Sequence, residues 1–227
     1  MEAHNSTIRN VLLLSTNSEL SEAFLDHYTR QDLIIYHLYT NGFSKEVELS
    51  TVTTRGTTSL FSIPLDDYRH IYKSNILLDH VKEVDLILNA NNFKLSKGIQ
   101  DTSLGDWQQN TIINLTLPYV VIKKLYRTLR KSGIKCVLNI SAVDATKGDQ
   151  GDASHCATNS ALESMSTALY KELSPNGFRV NCLRFDFERA NTSSISTLIS
   201  TTTFLSSPLS KHINGQIINV DDTIFIA

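Results

Sequence analysis

A chain of 227 residues suits one α/β domain with a full core, and 41% apolar against 19% charged residues marks it as globular and soluble, not disordered. The formal net charge of -2 gives no electrostatic reason to expect nucleic acid or an anionic membrane as partner, and no apolar run approaches the roughly 18 residues that span a bilayer. The polar first ten residues are not a signal peptide, and three cysteines (Cys136, Cys156 and Cys182), odd in number and without metal spacing, read as reduced thiols of a cytoplasmic protein.

In chain order, residues 11–14 form a continuous apolar run, as in a buried parallel strand. Residues 19–29 carry Leu20, Ala23, Phe24 and His27 at helical spacing behind Ser18 as N-cap. A second strand is expected at 33–36. The polar stretch 41–57 reads as loop with at most a short helix, followed by a strand at 59–63 and a helix over 67–80. A fourth strand at 84–88 runs into Asn89-Ala90-Asn91-Asn92. Residues 106–131 form a long helix that Pro118 is expected to kink and Gly133 to stop. A strand at 134–140 precedes a helix over 153–173 with Leu162, Met165, Ala168 and Leu169 as its apolar stripe. Strand 178–183, helix 195–205 and strand 215–220 complete the chain. The alternation predicts one domain over residues 1–227: an α/β doubly wound parallel sheet (Rossmann-like), about seven strands, with helices on both faces.

From Val84 onward the order of segments resembles the short-chain dehydrogenase/reductase family. Asp106-Trp107 leading to Ile113-Asn114-Leu115 is similar to its helix with a structural asparagine, and Val137-Leu138-Asn139-Ile140-Ser141 to the strand that carries its catalytic serine. Ser160-Ala161-Leu162-Glu163 through Lys171-Glu172-Leu173, then Phe178-Arg179-Val180-Asn181, is similar to its active-site helix and next strand. Asn214-Gly215-Gln216-Ile217-Ile218-Asn219-Val220-Asp221 is similar to its C-terminal strand. The resemblance implies a nicotinamide dinucleotide, NAD or NADP, a tyrosine–lysine proton-transfer pair with a serine, and homodimers or homotetramers built on the helices around 111–130 and 153–173.

The residues that such chemistry needs are mostly replaced. A phosphate-cradling turn uses glycine so that backbone N–H groups approach the pyrophosphate. Here the turn reads Ser15-Thr16-Asn17-Ser18-Glu19-Leu20-Ser21, with no glycine. The adenine-facing aspartate position is Pro64, beside Asp66 and Asp67, which read as caps of the next helix. The nicotinamide-facing Pro-Gly is Phe185-Asp186, and Phe185 is expected to fill part of that pocket. The positions of tyrosine, lysine and serine are His155, Asn159 and Ala142. Ser141 alternates to the other face of the strand, and of the usual tetrad only Asn114 remains, with a role in holding a bend of the long helix.

Three readings follow. In the first the chain is a non-catalytic family member, without a nicotinamide cofactor, acting as a binding or regulatory module or as partner of an active relative. In the second it is an oxidoreductase. Its NAD or NADP is then held by Thr16, Ser18, Ser21 and Asn89, and the catalytic residues are His155 as proton donor with Asn159 and Asn114 orienting it. A histidine titrates near neutral pH and suits that task, although a solvent-facing, idle histidine at a helix start is the plainer assignment. In the third, His155, Asn159, Asn89, Asn91 and Asn92 line a polar pocket for another small molecule. Cys156 reads as an inert thiol, no Gly-x-Ser-x-Gly hydrolase motif is present, and His4, His27, His37, His80 and His212 show no paired spacing, so no metal is expected.

Overall fold

The structure, a computed structural model, describes residues 8–16, 19–40, 53–55, 58–64 and 75–220. Among the described residues eight strands form one sheet in the order β3-β4-β2-β1-β5-β6-β7-β8. They are β1 (Asn10–Thr16), β2 (Ile34–Thr40), β3 (Thr53–Arg55), β4 (Thr58–Pro64), β5 (Leu86–Ala90), β6 (Cys136–Ala142), β7 (Arg179–Phe185) and β8 (Ile217–Asn219). All neighbours are parallel except β3 and β4. The helices are α1 (Glu19–Thr29), α2 (Ile76–His80), α3 (Leu104–Thr111), α4 (Leu117–Leu129), α5 (Asp144–Lys147), α6 (Ala153–Leu173) and α7 (Thr192–Ser206). Among the described residues no helix is long and apolar enough to cross a membrane.

Period-2 alternation sorts the central strands between two cores. Leu12 and Leu14 of β1 face α4 and α6 with Val121, Leu125, Leu169 and Phe178, whereas Val11 and Leu13 face α1 and α7 with Phe24, Leu198 and Leu205. Each such fully buried side chain contributes about 1.5–3 kcal/mol relative to exposure. Arg179, buried below α7, donates to the carbonyls of Leu205, Ser207 and Ser210 and so satisfies the end of that helix.

Three expectations change. Against about seven expected strands, the described residues form eight, because β3 adds an antiparallel edge (Thr53 opposite Leu60, Arg55 opposite Thr58) inside the stretch read as loop. Its polar composition concealed it, while Thr51-Val52-Thr53-Thr54 is a β-branched run of the kind that suits an edge. The long helix is irregular just ahead of Pro118. It opens one turn earlier into a π segment, Ile112–Thr116, where the Leu117 N–H bonds to the Ile112 carbonyl. Proline still explains the place: it has no N–H to give Asn114, and its ring would clash with that carbonyl in a regular helix. The buried face of α6 is also less apolar than expected. Met165 is only partly buried, and His155, Asn159, Glu163 and Ser166 are buried beside Leu162, Leu169 and Leu173. Lastly, of the helix expected over 67–80 the described part is α2; Asp66 and Asp67 lie outside the described residues, as does Ser18 before α1.

Gly215 begins the approach to β8 with φ +72°, and a Cβ there would stand 2.4 Å from Cδ1 of the Tyr170 ring. Left-handed strain and overpacking therefore act together. Gly215→Ala is expected to lower unfolding free energy by about 2–4 kcal/mol, measured by urea denaturation; a change below about 0.5 kcal/mol, the range of inert surface substitutions, would refute the close approach.

Candidate functional site in the strand-end crevice

In a doubly wound sheet ligands bind beyond the carboxyl ends of the strands, where the strand order reverses. Here that place lies between β1 and β5. The loop after β5 crosses it: the Asn92 N–H donates to Thr16 Oγ1 at 3.3 Å. Ser21, at the start of α1, donates its hydroxyl to the Thr16 carbonyl at 2.6 Å. The first turn of α1 holds Glu19 and Glu22, which place carboxylates against the positive end of the helix. Asn89 is fully buried; its Oδ1 accepts the Asn91 N–H and its Nδ2 donates to Asn139 Oδ1.

Asn114 sits in the π segment and clamps the Phe93 backbone, accepting its N–H at 2.9 Å and donating to its carbonyl at 2.8 Å. It thus fastens the loop after β5, not a bend of its own helix as the sequence suggested. Asn110 joins the clamp through the same carbonyl and through Thr158.

At the ends of β6 and α6, Asn159 Oδ1 accepts the Ala142 N–H at 3.0 Å while its Nδ2 donates to the His155 carbonyl at 3.0 Å. Ser141 donates to Glu163, which also receives a two-pronged bond from Arg184. Phe185 is fully buried in the core shared with α1 and α7, edge-on to Phe187, so it supports the sheet rather than filling the crevice.

His155 is not solvent-facing: it is 1% exposed. Neither Asn159 nor Asn114 orients its ring. Asn92 Oδ1 lies 2.7 Å from Nε2, and Asp144 Oδ2 lies 3.6 Å from Nδ1. The burial of His155 pushes its pKa down, and the Asp144 carboxylate only partly opposes this.

Beside it stands a group that sequence reasoning missed. Lys94 Nζ reaches Asp149 at 2.8 Å, Asp152 at 3.2 Å, Asp144 at 3.5 Å and also Glu188. Burial opposes the ammonium charge, but bonds to Asp149, Glu188 and Asp152 outweigh it and hold Lys94 protonated far above neutral pH. The members come from the segments that follow β5, β6 and β7, Asp144 from the short helix α5; the one sequence signal was the acidic spacing Asp144, Asp149 and Asp152 before α6.

Farther along the crevice, Ser15 Oγ and His37 Nε2 pair at 2.8 Å in a buried setting. Desolvation lowers the His37 pKa to about 4. Cys156 is half-buried with its thiol pushed up by burial, and Cys136 and Cys182 are buried and pushed up to about 11 and about 12. All three are free thiols, and none is an activated nucleophile.

Residues 74–190 match the family model described as Enoyl-(Acyl carrier protein) reductase. Among characterised proteins the chain is similar to the 3-oxoacyl-(acyl-carrier-protein) reductase FabG of Chlamydia pneumoniae, 25% identical over 118 residues, covering 52% of this chain and 48% of that protein. It is also similar to the 2,5-dichloro-2,5-cyclohexadiene-1,4-diol dehydrogenase LinX of Sphingobium indicum, 34% identical over 86 residues, 38% of this chain and 34% of that one. These matches span about half or less of the relatives' lengths. Solved structures extend the likeness in fold. An oxidoreductase of the short-chain dehydrogenase/reductase family from Brucella ovis, in complex with a partially ordered NAD, has a TM-score of 0.77 at 15% identity, over 94% of this chain and all of that one. A 4-hydroxyisoleucine dehydrogenase complexed with NADH has a TM-score of 0.78 at 17% identity, over 96% of this chain and all of that one.

Two outcomes follow from this geometry. Removing the Asn159 amide strands the buried Ala142 N–H, so Asn159→Ala should cost about 1–3 kcal/mol in chemical denaturation; no measurable loss would show the clamp to be idle. His37 is held neutral in the fold, with a pKa of about 4 against 6.5 ordinarily. Its contribution is therefore whole above pH 6.5 and is lost as pH falls toward 4, about 3 kcal/mol in all. His37→Gln should flatten the fall in stability between pH 7 and pH 4.5; an unchanged slope would remove His37 from the account.

Proposed function

Because the chain belongs to the short-chain dehydrogenase/reductase family, yet binds up its own polar groups where that family handles cofactor and substrate, we propose that it is a divergent member without ordinary NAD(P)-dependent turnover, serving as a binding, regulatory or partner subunit. The observation that carries the reading is Asn159. At the position where the resemblance expects the lysine, both ends of its amide are engaged, with the Ala142 N–H and the His155 carbonyl. It supplies no charge to lower a proton donor's pKa, and the serine position, Ala142, offers no hydroxyl to a substrate carbonyl.

The nucleotide half supports the same reading. Pyrophosphate binding needs free N–H groups and a positive helix end. Here the described residues present Glu19 and Glu22 in the first turn, a Thr16 hydroxyl bonded to Asn92 and a Ser21 hydroxyl bonded to Thr16. Asn89 is turned inward to Asn91 and Asn139. Of the four expected cofactor contacts, Thr16, Ser21 and Asn89 thus serve the protein's own loops, and Ser18 lies outside the described residues. These groups do not fit a dinucleotide phosphate.

As a partner subunit the chain has a face for assembly. Tyr119, Ile122, Lys123 and Tyr126 of α4 and Leu169 and Glu172 of α6 line a groove of about 430 Å³, on the two helices through which the family resemblance implies homodimers or homotetramers. An active relative of the family is the other partner this face would take. Three free cysteines suit a cytoplasmic setting.

The second reading, an oxidoreductase with His155 as proton donor, is favoured by the likeness to proteins crystallised with NAD or NADH. It requires His155 to emerge from under Asn92 and Asp144. Titration with NADH and NADPH, followed by fluorescence and calorimetry, separates the two. Expected is no saturable binding up to about 1 mM, a free energy weaker than about -4 kcal/mol. A Kd in the micromolar range, near -8 kcal/mol, together with turnover lost in His155→Ala, would establish the oxidoreductase instead.

A further inference from the structure

The start of α6 opens onto a second hollow, apart from the crevice. A cavity of about 680 Å³ lies between the segment 97–102, Trp107 of α3 and the residues 149–154 that lead into α6, and Thr16, Asn89, Asn92, His155 and Asn159 do not line it. Helix α6 is 21 residues long, and the side chain of its N-cap, Asp152, makes no capping bond. That carboxylate is turned instead to the Ser96 N–H at 2.9 Å and to Lys94 at 3.2 Å. The N–H groups of Ala153, Ser154 and His155 therefore have no acceptor among the described residues; the first that bonds is that of Cys156, to the Asp152 carbonyl. The first turn also holds no acidic side chain, so the positive end of the helix, roughly half an elementary charge, is not offset from within. A bare helix end alone makes no site. The second observation is Ser154, which is 8% exposed and lines the cavity, and whose hydroxyl has no partner among the described residues. A hydroxyl buried to this degree is ordinarily bonded, and the space beside it is the cavity.

We propose that this cavity binds a small monocarboxylate with an aromatic body, its carboxylate received by the N–H groups of Ala153 and Ser154 and by the Ser154 hydroxyl, its ring lying against Trp107 and Ile99. Backbone N–H groups at a helix start are donors that carboxylates and phosphates share. Trp107 is 42% exposed and Ile99 87%, so both present apolar surface to the cavity they line. The surrounding charges select one negative charge over two. The Lys97 ammonium is taken up by both oxygens of Asp106 at 3.0 Å, and Asp149 is matched by Lys94 at 2.8 Å. Asp101 also lines the cavity and forms no ion pair among the described residues. The helix end is then the one positive element left to attract an anion, and a dianion such as a phosphate monoester is repelled more strongly by Asp101. None of the proposed donors belongs to the crevice, so the outcome here and that of the NADH titration are independent.

Trp107 is the single tryptophan of the chain, so its fluorescence reports on this cavity. The test is a titration of the full chain with phenylacetate, set against phenylacetamide, acetate and phenyl phosphate. Expected is a saturable change in Trp107 emission with a Kd of about 1 mM or below, the range open to a ligand of about ten non-hydrogen atoms. Phenylacetamide, without the charge, and acetate, without the ring, should each bind at least about tenfold more weakly, and phenyl phosphate no more tightly than phenylacetate. Ala153→Asp places a tethered carboxylate at the same helix end, on an exposed position, and should weaken phenylacetate binding about tenfold or more. Ser154→Ala should weaken it about threefold or more, and it keeps the test valid should Ala153→Asp fail to fold. Four results would overturn the proposal: no saturable change up to about 10 mM phenylacetate, phenylacetamide bound as tightly as phenylacetate, phenyl phosphate bound more tightly than either, or an affinity unmoved by Ser154→Ala and by a folded Ala153→Asp.

Discussion

The fastening of α6 to the sheet is the constraint on which the rest of this molecule depends. Four residues spaced along one face, His155, Asn159, Glu163 and Ser166, reach respectively to Asn92, the Ala142 N–H, Ser141 with Arg184, and Asn139. A helix lying on a sheet usually gains its hold from apolar contact alone. Here a row of buried hydrogen bonds fixes how far along its axis and at what rotation the helix may sit. Each such bond is worth only about 0.5–1.5 kcal/mol net, but a buried group left without its partner costs about 1–3 kcal/mol, so alternative placements are penalised several times over.

That fastening also decides the character of the crevice. Because Asn159 is committed to the backbone on both sides, the end of β6 has no free hydrogen-bonding group to offer from that side chain. Because Asn114 grips Phe93, the loop after β5 is held over the switch point, where Asn92 meets both Thr16 and His155. Lys94 then draws the loops after β6 and β7 toward the same point. The crevice is therefore an electrostatic and hydrogen-bonded structure in its own right. Its polar side chains are largely paired with one another, from Ser15 and His37 at one end to Lys94 and its carboxylates at the other.

The fold was legible in the sequence to a large extent, and for a physical reason. The apolar runs of β1, β5 and β6 and the helical spacing of α1 are local signals, and the expected bounds of α6 agree with those observed. What escaped notice was non-local or disguised. The edge strand β3 is polar because an edge need not be buried, and the π segment depends on a proline two positions beyond it. The site was less legible. That His155, Asn159 and Ala142 stand together could be read from the resemblance, but the burial of His155 could not, since Asn92, some sixty positions earlier, and Asp144 create it. Lys94 and Glu188 belong to loops that carry no motif, and only the folded chain brings them within reach of one another. Asn89 and Ser21 illustrate the converse: side chains that look available in sequence are claimed by backbone groups a few residues away.

The π segment bears on how this chain can change. A π turn holds one residue more than an α turn. Loss of a single residue within 112–116 would remove the extra residue and keep the faces of α3 and α4 in line, but would press the Pro118 ring against the carbonyl four residues before it. The same loss beyond Pro118 would swing every later side chain by about 100° and carry Val121 and Leu125 away from β1. The π turn is therefore the one stretch of this helix pair where a change of chain length leaves both faces in place, provided that Asn114 stays opposite Phe93.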